Sequence, residues 1–594
     1  MTSSIGIVER MRWMSALIAS AVLALVATIA LGAADGQLST SAGTAATLGT
    51  APAPAGSSAT LDPRIASLAA HHPSRSIEAI VQFDSGVSAG TAKAETTTAG
   101  GRVFAELALI HGLAAKMTAS QASSLAMRPD VHSVSLNTKI TPQGGPGQGS
   151  FSQSGPGLSP PVSSSSLQTT YDQTLGVTGL WRFGVTGAGV GVAVIDTGID
   201  GQLSNFRSRD GSSRVVASAV TNSGATTALD TYGHGTDVAG IIAGNSDGGS
   251  SSVRGRNRYV GVAPRANLIS VKVADENGSA TVLNVIYGVQ FAVDHQAQYN
   301  IRVINLSLDS TTPQSYTTDP LDAAVEAAWQ HGITVVAAAG NRGTASDAVQ
   351  YSPANDPYVI TVGATDENGT PNPADDSIPD WSSRGTTQDG VQKPDVYAPG
   401  AHIVSVLAPD SVFASACESC VVGGHYIVAS GTSLAAPMIS GLIADVLQIH
   451  ADWTPDQVKG VLTSDAVQSN STGEINAIRV ALTRSPTAAN LGLTLNSLLG
   501  PDGSIDYSLS RWSLSRWSTA PSSLSADFAQ ASYVCSCITT NPADVDPSLS
   551  RWSLSSWSTF AITADHQRTY LNGGDGGVPI SGTHRHQRGR KGRA

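Results

Sequence analysis

Between about residues 168 and 484, short apolar runs alternate with helix-length stretches, and this alternation limits the possible fold more than any other feature. The runs are 190–195 (VGVAVI), 268–273 (LISVKV), 303–308 (VINLSL), 333–338 (ITVVAA) and 359–362. They are nearly continuous in apolar residues, as strands buried on both faces must be. The stretches 282–298 and 321–331 between them read as amphipathic helices. Strands alternating with helices imply an α/β fold, a mostly parallel sheet with helices on both faces. In such sheets chemistry gathers at the carboxyl ends of the strands.

The remaining sequence divides around this block. Residues 1–34 carry Arg10 and Arg12, an apolar run and a small-residue exit, the pattern of a secretory signal or N-terminal anchor. No other segment reads as a membrane span, so the protein is expected to be secreted or on the cell surface, touching membrane only if that segment stays uncleaved. Residues 35–66 read as a low-complexity linker. Strand-like runs at 77–83, 103–110 and 131–136 and a short helix at 120–127 suggest a small α+β domain over 67–140. Residues 141–167 are rich in Gly, Pro, Ser and Gln and read as an exposed connector. The extension 485–594 contains RWSLSRWST and RWSLSSWST, whose tryptophans are expected to pack on the body, and ends in a basic tail. A net charge of 34 − 45 = −11 argues against a general nucleic-acid binder. Cys417, Cys420, Cys535 and Cys537 fit disulfides in an exported protein, with three pairings open.

Hydrolysis by acyl transfer needs a nucleophile, a base, a group that orients the base, and donors for the oxyanion. Asp196 ends the run VGVAVI and opens Asp-Thr-Gly. His234 stands in GHGTDVAG at an apparent helix start, and Ser433 stands in GTSLAAP, opening a helix to about residue 449. Pro437 suits the first turn of that helix, where amides have no partner inside it. Its N-terminus places positive dipole beside the nucleophile. Asn341, after VVAAAG, offers a side-chain amide.

Together, and in this order, these motifs resemble the subtilisin-like serine proteases (subtilases), over most of 168–484; the order Asp, His, Ser is the one known for subtilisin. The resemblance implies that Ser433 attacks the scissile carbonyl, His234 moves its proton, and Asp196 fixes the imidazole. Asn341 and the Ser433 N–H would then form the oxyanion hole. It further implies that Ser307, Leu308, Asp309, Ala338, Ala339 and Gly340 flank an extended peptide substrate. Asp309 departs from the Gly common there, and its carboxylate is expected to narrow the cleft or favour basic residues. Residues 67–140 would be the inhibitory propeptide, and 141–167 the processed region. No cofactor is needed for the chemistry. Structural calcium remains open, because 245–259 lacks an obvious ligand pattern.

Three rival readings compete with this one. Asp84 and Asp196 both head Asp-Ser/Thr-Gly turns, as an aspartic protease requires, and Ser88 sits in a Gly-x-Ser-x-Gly pattern. A non-catalytic surface adhesin on a degenerate scaffold is the third, and the intact Asp196, His234 and Ser433 argue against it.

Overall fold

The structure is a computed structural model that describes residues 60–145, 169–208, 210–245, 259–493, 495 and 533–534. The signal or anchor segment, the linker as far as residue 59, the connector from residue 146 onward and residues 246–258 lie outside the described residues. So do the tryptophan repeats, Cys535, Cys537 and the basic tail.

The large unit is built on a parallel sheet. Its strands follow in the order Val396–Pro399, Ile360–Thr365, Thr334–Ala338, Ile301–Leu306, Gly191–Asp196, Asn267–Lys272 and Val215–Val220. The two-residue strand Tyr533–Val534 adds to the last edge. Every residue of Gly191–Asp196, Thr334–Ala338 and Ile360–Thr365 is buried, so both faces of the sheet are covered, as the apolar runs require. Helix Thr432–Ile449 crosses several strands and packs on His234–Ala243, while Val282–Asp294 and Pro320–Gln330 pack on each other. Thr432–Ile449 is long and apolar enough to cross a membrane, but 89% of it is buried inside the fold.

Two expectations about these helices need correction. The helix expected over 282–298 ends at Asp294, and neither it nor Pro320–Gln330 is amphipathic, because almost every residue in both is buried. The face turned away from the sheet is covered by the N-terminal unit. Pro437 lies inside helix Thr432–Ile449, beyond its first turn. Proline has no N–H to bond the carbonyl four residues back. The Ser307 hydroxyl fills that gap and donates to the Ser433 carbonyl at 2.8 Å.

The N-terminal unit starts earlier than composition suggests. Strand Thr60–Leu61 and helix Pro63–His71 occupy the end of the expected linker; Asp62 caps the helix by accepting from the Arg64 N–H, with Pro63 at its first position. The sheet order is Thr60–Leu61, Val131–Leu136, Ser76–Phe83, Gly112–Thr118, Arg102–Leu107, antiparallel except at the first pair. The run 103–110 is a strand followed by a single 3₁₀ turn, Ala108–Ile110. Alternation sorts the side chains of this sheet. Ile77, Ala79, Val81 and Phe83 belong to the unit's own core, whereas Ile80, Leu107, Leu109, Ile110 and Ala114 join the core of the large unit.

Candidate active site

The site is assembled at the carboxyl end of the parallel sheet. Asp196 is the last residue of its strand, His234 the first of helix His234–Ala243, and Ser433 the second of Thr432–Ile449. His234 Nδ1 and Asp196 Oδ1 are 2.7 Å apart, and both side chains are buried. The same Asp196 oxygen accepts from the Thr197 N–H at 2.7 Å. The bond to Asp196 occupies Nδ1, so Nε2 is left as the nitrogen that can accept a proton. Among the described residues, His234 Nε2 is buried with no hydrogen-bond partner. Burial pulls the His234 pKa down, but the charge and hydrogen bond of Asp196 outweigh it, and the net shift is upward. The Asp237 carboxyl, one turn along the helix, is pushed up to about 8 by burial.

A residue that the sequence reading passed over holds these two loops in register. Asp230 accepts from the Thr197 hydroxyl at 2.8 Å, from the Gly233 and Thr236 N–H groups at 2.8 Å each, and from the Thr236 hydroxyl at 2.6 Å. Thr197 in turn accepts from the Gly235 N–H at 2.8 Å. Asp230 sits in a loop with no periodicity, and its distance of four residues from His234 was the only available signal.

Ser433 meets a length of the chain's own backbone. Lys139–Pro142 forms a strand between Leu308–Ser310 and Ala280–Thr281, antiparallel to both. The Gln143 N–H donates to the Ser307 carbonyl at 3.1 Å, and the Ser433 N–H donates to the Gln143 carbonyl at 3.0 Å. Gly145 bridges to Ser430. The stretch expected as the start of an exposed connector is therefore held in the cleft by its backbone, with Thr141 exposed, Pro142 and Gln143 partly buried, and Gly144 and Gly145 buried. Ser433 Oγ donates weakly to the Ser307 carbonyl at 3.4 Å, so its bond to His234 is not made in this arrangement. Catalytic hydrogen bonds are often loose before the reacting complex tightens.

The other expected site residues sit around this strand. The Asn341 carbonyl oxygen accepts from the Thr432 N–H at 3.0 Å and from its hydroxyl at 3.1 Å, which commits that oxygen and leaves the amide nitrogen to point elsewhere. A Cβ placed on Gly431 would lie 2.9 Å from the Gln143 carbonyl oxygen and 3.4 Å from Asn341 Nδ2, so glycine opens this corner. Leu308 and Asp309 pair with the strand, but Ala338, Ala339 and Gly340 do not; Ala280–Thr281 takes the second side, a partner the sequence reading missed. Gly340 instead shapes the wall beside Asp309: a Cβ there would stand 3.1 Å from Arg342 Nη1 and 3.5 Å from Asp309 Oδ2. Asp309 is fully buried in an ion pair with Arg342, so its charge is already answered and the expected preference for basic residues loses its basis.

Phe413 meets the His234 ring edge-on, with centroids 5.7 Å apart. Its segment ends in a Cys417–Cys420 disulfide with Cα atoms 5.2 Å apart. The rival sites are occupied otherwise. Asp84 pairs with His132 at 3.4 Å in the N-terminal unit, and Ser88 caps helix Ala89–Thr98. Among the described residues, no group of three or more His, Cys, Asp or Glu is arranged to hold a metal ion.

Residues 187–489 match the model of the Peptidase S8 Subtilase family. Serine protease AprX of Bacillus subtilis (strain 168) is 42% identical over 287 residues, 47% of this chain and 61% of AprX, so the match spans less than two thirds of that relative. Subtilisin Savinase of Lederbergia lenta is 34% identical over 291 residues, 49% of this chain and 87% of Savinase. The crystal structure of fervidolysin from Fervidobacterium pennivorans, a keratinolytic enzyme related to subtilisin, superposes with a TM-score of 0.50 at 24% identity, over 70% of this chain and 62% of fervidolysin. That last likeness speaks to the fold. With the family match covering just over half the sequence, the chain belongs to the subtilase family.

Proposed function

We propose that this protein is a secreted serine endopeptidase, made with an N-terminal unit that occupies its own cleft as an inhibitor. The supporting observation is the backbone carbonyl of Gln143, which accepts from the Ser433 N–H at 3.0 Å at the carboxyl end of the sheet that also carries the Asp196–His234 pair. In this reading Ser433 Oγ attacks a peptide carbonyl and His234 Nε2 takes its proton. Asp196 holds the imidazole in the tautomer that can accept it and stabilises the imidazolium. The Ser433 N–H and the Asn341 amide stabilise the oxyanion; loss of one such donor typically lowers the rate by about 10²–10³. His234 then hands the proton to the leaving amine, and water enters to release the acid. The reaction uses no cofactor.

Substrates are protein segments bound extended, adding a strand between Leu308–Ser310 and Ala280–Thr281 as Lys139–Pro142 does. The apolar run near the N-terminus supports export. Ser433→Ala is the decisive variant: peptide hydrolysis should drop by at least about 10⁴-fold with the thermal transition unchanged. Retained turnover in a folded Ser433→Ala protein refutes the assignment. The pH profile provides a second check. His234 must be neutral to act as base and its pKa is raised, so kcat/KM should be full at high pH and fall as pH drops through a midpoint above the ordinary histidine value of about 6.5. A profile flat down to pH 5 contradicts the role given to His234.

A further inference from the structure

We infer that the Gln143–Gly144 bond is the bond this chain cuts in itself, and that Asp309 and Arg342 make glutamine the preferred residue before the scissile bond. The inference rests on the peptidase reading above.

The backbone fixes which bond is involved. The Gln143 carbonyl is the one held by the Ser433 N–H, and its own N–H is held by Ser307. The next residue, Gly144, lies against the nucleophile: a Cβ there would stand 3.1 Å from Ser433 Oγ and 3.3 Å from its Cβ. Gly144 also has a φ of 143°, in the range where side chains are strained. Glycine after the bond therefore gives the hydroxyl room to approach.

The chemistry of the pocket accounts for the glutamine. Gln143 Nε2 donates to Asp309 Oδ1 at 2.5 Å, and more weakly to the Thr141 hydroxyl at 3.4 Å. The second Asp309 oxygen is taken by Arg342. That guanidinium is held in turn over the Tyr351 ring, 3.7 Å from its centre, and the Arg342 N–H donates to the Ser383 hydroxyl at 2.9 Å. The pocket thus presents one buried carboxylate oxygen that needs a donor, beside a fixed cation. A leucine side chain would take away the Gln143 donor and leave that oxygen with the Thr141 side chain alone, a glutamate would bring a second carboxylate to it, and a lysine or arginine would come up against Arg342. A neutral amide of glutamine length satisfies all three conditions.

The reaction balances with water as the only co-reactant. Ser433 Oγ bonds to the Gln143 carbonyl carbon as its proton passes to His234, and the bond to the Gly144 nitrogen breaks as that nitrogen takes the proton. Water, deprotonated by His234, then releases Gln143 as a free carboxylate and restores the serine.

The test expresses the full chain and identifies the fragments by intact mass. It then assays the purified mature protein on hexapeptides Ile-Thr-Pro-X-Gly-Gly, with X as Gln, Leu, Glu or Lys. The expected result is a first N-terminal fragment ending at Gln143, with kcat/KM for X = Gln at least about tenfold above the others, as a hydrogen bond to a charged group provides. Asp309→Gly should erase that margin, and Gln143→Glu in the full chain should slow processing by a similar factor. Active protein whose first cut falls at another bond, or which cleaves the Leu peptide as fast as the Gln peptide, overturns the inference and leaves the peptidase reading intact. A full chain that neither cuts itself nor hydrolyses any of the peptides overturns the peptidase reading and this inference with it.

Discussion

The sheet of the large unit is covered on both faces, whereas the sheet of the N-terminal unit has its own helices on one face only and rests the other on Val282–Asp294 and Pro320–Gln330. The contrast shows in the side chains of one strand. Ala79 and Val81 close the small unit's own core, and Ile80 between them packs into the body. A unit of about eighty residues sits near the size at which a single core is marginal. Giving one face of its sheet to another domain leaves it less. Such dependence suits the removable inhibitor proposed above, because cutting its tether would remove the covalent link that keeps the docked face in place.

Three experiments test this contrast. The largest effect is expected from separating the units. Residues 57–143 expressed alone should show no cooperative thermal unfolding, and should gain it when mature peptidase is added. A sharp transition for the isolated unit above about 50 °C, in the ordinary range for stable domains, would break the comparison. A smaller effect should follow Leu109→Ala, which removes a buried side chain at the docked face, where the Leu109 N–H also donates to Gln290 at 3.4 Å. Loss of about 2–3 kcal/mol at such a site should weaken inhibition of mature enzyme by the added unit roughly 30- to 150-fold. The smallest effect should come from Asn137→Ala. The Asn137 side chain accepts from the Leu283 N–H at 3.1 Å at the partly exposed rim. About 1 kcal/mol, or roughly fivefold in the same inhibition assay, is expected. If Asn137→Ala outweighs Leu109→Ala, polar rim contacts and not the apolar face hold the units together.

What the sequence disclosed follows the same division. The placement of Asp196, His234 and Ser433 at strand and helix ends was legible because each sits in a short run of small residues at the end of an apolar strand or the start of a helix. The parallel sheet was legible because strands buried on both faces read as unbroken apolar runs. The helices at 282–294 and 320–330 read as amphipathic because the cover over their second face comes from residues more than a hundred positions upstream. Gln143 was hidden for a similar reason. Its Gly- and Pro-rich surroundings look like a connector, and only the cleft formed by Ala280–Thr281 and Leu308–Ser310 makes it a strand end. Asp309 stood out as unusual, yet its meaning depends on Arg342, which lies on a different loop. Pro437 was placed wrongly because nothing local shows that Ser307 satisfies the carbonyl it frees.

The most direct test of a nucleophilic Ser433 beneath the inhibitor's tail is labelling with a serine-directed fluorophosphonate, read by peptide mass spectrometry. Mature protein should take up one label, on Ser433, while the full-length chain, labelled before it has cut itself, should take up little until the N-terminal unit is removed. A label on another serine, or none on a mature protein that still hydrolyses peptides, would contradict the account.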